Sequence, residues 1–111
     1  MFARMIQLTA KAGQNKDLTR AMVERSLPAL RQQPGFVDAL GLNSDSDPNQ
    51  FVGITIWKSK EDAEKYMNSA LAQEILGSLK PLLQGEPSFR TFNVEASASL
   101  NVGLSRAASS S

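Results

Sequence analysis

The chain of 111 residues contains no cysteine and no histidine. The first absence removes disulfides, thiolate nucleophiles and thiolate metal sites; the second removes the imidazole base, His-bound zinc and a proximal haem ligand. An excess of one charge is also missing. Twelve Lys plus Arg face eleven Asp plus Glu, a net +1 that supplies no field for gripping a phosphate backbone, so nucleic acid is not an expected partner. The longest apolar stretch, Phe51 to Trp57, is far short of the ~20 residues of a membrane span. Met1 to Thr9 lacks the pattern of a secretory signal, and a cytoplasmic location without membrane contact is the expectation. What is present, 41% hydrophobic and 21% charged residues, suits a single globular domain. Chemistry is left to carboxylates, lysines, hydroxyls, arginines and the one tyrosine, Tyr66, or to a substrate that brings its own reactivity.

Glycine and proline punctuate the order of elements. Phe2 to Thr9 reads as a strand ahead of Gly13. Asn15 or a neighbour can cap a following helix, in which Leu18, Met22, Val23, Leu27 and Leu30 form an apolar stripe. Pro28 is expected to kink that helix or split off its last turns, and Pro34-Gly35 to end it. Phe36 to Asn43 and Phe51 to Lys58 read as a hairpin around the loop SDSDPNQ. Ser59 with Asp62 three residues on is a capping pair, and Glu61 adds a second carboxylate to the first turn. The apolar positions from Ala63 to Leu83 keep helical spacing, and Asn68-Ser69 predicts a bend into two helices, the second closed by Gly85. Ser88 to Glu95 reads as the last strand. Residues 1–95 are the expected domain; 96–111, where ten of sixteen residues are Ser or Ala, are an expected mobile tail.

The order βαββααβ predicts an α+β, ferredoxin-like antiparallel sheet with helices packed on one face. Regular alternation in the hairpin sets Leu40, Leu42, Val52, Ile54 and Ile56 on a bulky apolar face, and Ala39, Gly41, Asn43, Gly53, Thr55 and Trp57 on a smaller one. Helices can cover only one side. The bulky side left over predicts burial against a second copy, hence a homodimer.

Pro34-Gly35-Phe36, entering the second strand, and the run from Phe51 through Trp57-Lys58-Ser59-Lys60-Glu61 resemble the antibiotic biosynthesis monooxygenase (ABM) domain family, in which a PGF turn and a strand ending in W-x-S-x-E mark the same places. The resemblance spans roughly residues 2 to 95. It implies a dimeric α/β barrel with a cavity between sheet and helices in each protomer. It also implies a cofactor-independent monooxygenase acting on a small aromatic molecule such as a phenol, quinol or anthrone, or else a non-catalytic dimer of the same fold that binds a small hydrophobic molecule or serves as a scaffold. No cofactor and no metal are expected. The departures are specific: where the anthrone-oxidising branch is expected to carry Asn, Tyr and Arg, this chain has Gly53, Ala63 and Gly77, and where many members place His it has Tyr66.

Seven residues are candidates for the site. Tyr66, Asn43 and Arg4 are the candidate catalytic groups: a phenol on the helical stripe, an amide that can orient a ligand carbonyl, and a guanidinium that can stabilise a developing oxyanion. Trp57, Gly41, Gly53 and Thr55 are the candidate substrate-binding surface, an aromatic wall beside a small floor. Each has a plainer reading. Trp57 and Tyr66 also suit a core, Asn43 a turn, and Arg4 an ion pair with a carboxylate across the dimer. Arg90 carries the same two options as Arg4, and Glu61 and Asp62 are explained by the helix start they occupy.

Overall fold

The computed structural model describes residues 1–100, so most of the expected mobile tail, residues 101–111, lies outside the described residues. Strands β1 (Phe2–Thr9), β2 (Phe36–Asn43), β3 (Gln50–Trp57) and β4 (Ser88–Asn93) form one antiparallel sheet in the order β2-β3-β1-β4. Between β1 and β2 run α1 (Asn15–Ala21), a π-helical turn (Met22–Ser26) and α2 (Leu27–Arg31); between β3 and β4 run α3 (Lys60–Met67), α4 (Ala70–Leu79) and a 3-10 turn (Lys80–Leu82). This is the α+β ferredoxin-like arrangement that the element order predicts. Among the described residues, no helix is long and apolar enough to cross a membrane.

The N-cap of α1 is Gln14, the neighbour of Asn15, but no side chain makes a capping hydrogen bond there. Pro28 stands in the first turn of α2, so the last turns of the first helical segment are set off from α1 as expected, with a π-helical turn between them. The Leu27 N–H donates to the Met22 carbonyl five residues back, and this widened turn takes up the crowding that the proline ring would impose on the carbonyl four residues before it. The second helical pair ends before Gly85, because Pro81 turns the chain into the 3-10 segment. The bend at Asn68-Ser69 is present, with the Ser69 hydroxyl accepting from the Ala72 N–H at the start of α4.

Register decides which side chains share a face. On one side, Leu40 pairs with Ile54 and Leu42 with Val52, and the next strand adds Met5 and Ala3 opposite Ile54 and Ile56. On the other side lie two cores. One joins Leu8, Ala10 and Phe51 to Leu18, Leu79 and Leu83; the second joins Phe2 and Trp57 to Leu30, Ala63 and Tyr66. The helices therefore cover the side of Phe2 and Trp57, while Leu40 and Leu42 on the opposite side remain 54% and 45% exposed.

The PGF turn and the start of α3 are physically one unit. Gly35 adopts φ +78° and its carbonyl accepts from the Lys58 N–H at 2.8 Å. A Cβ there would fall on the Asp62 carboxyl, which itself accepts from the Ser59 hydroxyl at 2.9 Å while the Asp62 N–H donates back to Ser59 Oγ. Gly35→Ala is thus expected to lose about 2 kcal/mol, combining a left-handed backbone without glycine and a disturbed cap. Urea unfolding checks this; an unchanged midpoint would remove the coupling.

Candidate functional site

The helix side of the sheet is built in rungs. From β2 to β4 they read Phe36-Trp57-Phe2-Asn93, Ala39-Thr55-Arg4-Thr91, Gly41-Gly53-Ile6-Phe89 and, at the far end, Asn43-Phe51-Leu8. Large residues at the two ends meet the helices as the two cores. The middle rungs hold alanine, threonine and two glycines on β2 and β3, too little volume to reach the helices, and a cavity of about 350 Å³ lies there. That is the size of a small-ligand pocket. Met22, Leu27, Met67 and Leu76 line it from the helical side.

All seven sequence-predicted residues line this cavity. Their surroundings differ. Trp57 is 1% exposed, its ring stacked on Tyr66 (5.7 Å between centroids, 29° between planes) and edge-on to Phe36 (5.7 Å, 77°). Its indole N–H donates to Thr55 Oγ1 at 2.9 Å, a hydroxyl rather than a carbonyl. Trp57 and Thr55 therefore hold each other, and the indole is at once core and wall. Asn43 donates both amide hydrogens to the loop, to the Pro48 carbonyl at 2.9 Å and the Gln50 carbonyl at 3.0 Å. It closes the hairpin loop, with no donor left over for a ligand.

Arg4 is the unusual group. Register puts it on the helix side of the sheet, between Thr55 and Thr91. Among the described residues, no carboxylate forms an ion pair with it. Its guanidinium lies over the Phe89 ring at 4.4 Å, and its Nε is buried with no hydrogen-bond partner. A buried polar group left unpaired costs about 1–3 kcal/mol, more when charged. Burial lowers the Arg4 pKa, with Tyr66 acting in the opposite sense, but an arginine remains a cation at neutral pH. Burial likewise raises the Tyr66 pKa, and Arg4 pulls it back only in part. Tyr66 therefore keeps its proton at neutral pH and presents a hydrogen-bond donor, not a base.

Phe89 and the lining from the π-helical turn escape a reading of the sequence. Alternation along β4 could have set Phe89 on Arg4's side, with Arg90 and Phe92 on the other, where Arg90 lies 5.2 Å over the Phe92 ring. The π turn had only Pro28 as its signal. The positions that depart from the family pattern are filled quietly: Ala63 is fully buried in the core, Gly77 faces open space, and Gly53 forms part of the floor.

Residues 1–78 match the family described as antibiotic biosynthesis monooxygenase. Among curated proteins, none matches the sequence. Solved structures share the fold at low identity. A cofactor-independent oxygenase from Streptomyces nogalater, SnoaB, superposes with a TM-score of 0.76 at 15% identity, over 87% of this chain and 95% of that one. A protein of unknown function from Nitrosomonas europaea gives 0.75 at 20% identity, covering 86% and 90%. Rv0793 from Mycobacterium tuberculosis gives 0.75 at 11% identity, covering 87% and 97%.

Proposed function

This chain belongs to the antibiotic biosynthesis monooxygenase family, and from that premise we propose that it is a cofactor-independent monooxygenase acting on a small aromatic molecule, a phenol, quinol or anthrone. The observation that supports this most is the cavity itself: apolar, flanked by stacked aromatic rings, and furnished with one cation and one protonated phenol but no carboxylate. Such a site favours an ionised ring without supplying a base to ionise it. An electron-rich ring anion can pass an electron to dioxygen and recombine with the reduced oxygen at carbon. For a ring methylene the balance is one oxygen atom retained as a carbonyl and the other released as water with the two methylene hydrogens. The protein's part is to exclude water, hold the ring over the Gly41-Gly53 floor, and keep an anionic oxygen of the substrate near Arg4 and Tyr66.

A second reading is a binding dimer without turnover, favoured by Gly53, Ala63 and Gly77 at the departing positions and by the commitment of the Asn43 amide to its loop. Oxygen consumption by metal-free protein with a panel of anthrones, quinols and catechols separates the two. Uptake is expected, and Tyr66→Phe should slow it about tenfold, the worth of one hydrogen bond to a charged oxygen. Silence across the panel would leave the binding dimer as the better account.

The dimer itself is proposed to form through the Leu40, Leu42 and Ile54 side of the sheet. Burying one leucine stabilises by about 1.5–3 kcal/mol, and a two-fold interface counts each twice. Leu40→Glu is expected to weaken association by at least about tenfold in sedimentation velocity. An unaltered dimer would place the interface elsewhere.

A further inference from the structure

Among the described residues, Arg4 is the one charged side chain that lines the cavity. Thr55, its neighbour on β3, has an oxygen that already accepts from the Trp57 indole, so its own hydrogen is available to donate. Tyr66 holds its proton, and among the described residues its hydroxyl makes no hydrogen bond. Arg4 Nε is buried and unpaired, and Phe89 shields the guanidinium from the β4 side. Among the described residues, no Asp or Glu lines the cavity. Arg4, the Thr55 hydroxyl and the Tyr66 hydroxyl line one cavity with no carboxylate among its described lining residues, and the small floor of Gly41 and Gly53 lies one rung from Arg4 and Thr55.

We infer that the cavity selects a planar aromatic acid that is already negatively charged when it enters, with its anionic group at Arg4, Thr55 and Tyr66 and its ring over the Gly41-Gly53 floor. A neutral ring filling this space would strip water from the guanidinium and return nothing, so it is penalised on entry. An anion replaces that water with charge-assisted hydrogen bonds in a place where little water screens them. An ordinary phenol, with a pKa near ~10, arrives neutral and forfeits the gain. Carboxylated arenes and unusually acidic enols do not. The inference rests on the cavity being the substrate site and narrows the aromatic class proposed above to its acids.

The test is calorimetric titration of the full chain with 2-naphthoate and with its neutral isostere 2-naphthamide. The acid is expected to bind about tenfold tighter or more, and Arg4→Met to reduce that preference to within about twofold while leaving amide binding at least as strong. Arg4→Lys keeps the charge and should keep part of the preference. If Arg4→Met does not fold, the wild-type ratio together with Arg4→Lys decides. Equal binding of acid and amide, failure of the acid to bind, or a preference that survives Arg4→Met overturns the inference. The oxygenase reading is judged apart, by oxygen uptake: uptake without acid preference sinks only the inference, and acid preference without uptake sinks only the oxygenase.

Discussion

Trp57→Ala is expected to lose about 3–5 kcal/mol of stability, enough to unfold a large share of a domain this small. The indole is 1% exposed, stacks on Tyr66, meets Phe36 edge-on and satisfies its N–H at Thr55. Deleting it opens a void in the second core and leaves the Thr55 hydroxyl without its donor. Thermal or urea unfolding reads the change directly, and a loss below about 1 kcal/mol would mean the aromatic stack is not what holds that end of the sheet. The same fact governs how the site is probed. Lost activity in Trp57→Ala would report a damaged fold, whereas Trp57→Phe keeps an aromatic wall and forfeits chiefly the indole N–H.

Gly41→Phe is expected to abolish ligand binding and oxygen uptake while the domain stays folded. The floor position faces the cavity, and the nearest atom to a Cβ built there is the Met22 methyl at 3.7 Å, an ordinary contact. Gly41→Ala should therefore be almost silent, and a phenyl group should occupy the space meant for the ligand's ring. At Gly53 the corresponding Cβ would approach Ile6 to 3.0 Å, so substitutions there mix blockage with strain. Gly41 gives the cleaner reading. Retained binding in a folded Gly41→Phe would show that the guest sits away from the floor.

The strands were readable because their signal is local. Phe2–Thr9 and Phe36–Asn43 were legible as short apolar-rich runs bounded by turn residues, and from Ala39 onward alternation sets the faces of β2; the bulge between Phe36 and Asp38, which brings Phe36 to the Trp57 side, left no such signal. The Ser59 cap and the break at Asn68-Ser69 were readable for the same reason. Arg4 was legible as an anomaly, a guanidinium in step with Phe2, Ile6 and Leu8, but not as a solution. Its neighbours Phe89 and Tyr66 are brought to it by strand order and helix docking, which no short window of sequence contains. Asn43 was the opposite case. A strand-end amide is more often a turn former than a ligand group, and the Pro48 and Gln50 carbonyls hold its Nδ2 in the loop. Pro28 announced that the last turns are set off, but not the π-helical turn that joins them to α1.

The two separate cores carry a consequence for descent as well as for stability. Because the packing that secures the sheet is gathered at its ends, a replacement at Gly41 alters the shape of the chamber while leaving the buried residues of both cores in place, whereas Ala39 packs against the second core and Thr55 holds the Trp57 indole. Lineages built on this frame are free to exchange one guest for another by drift in the central rungs. Sequence divergence should accordingly be fast at Gly41 among descendants that have changed ligand, and slowest at Gly35, Leu18 and Trp57.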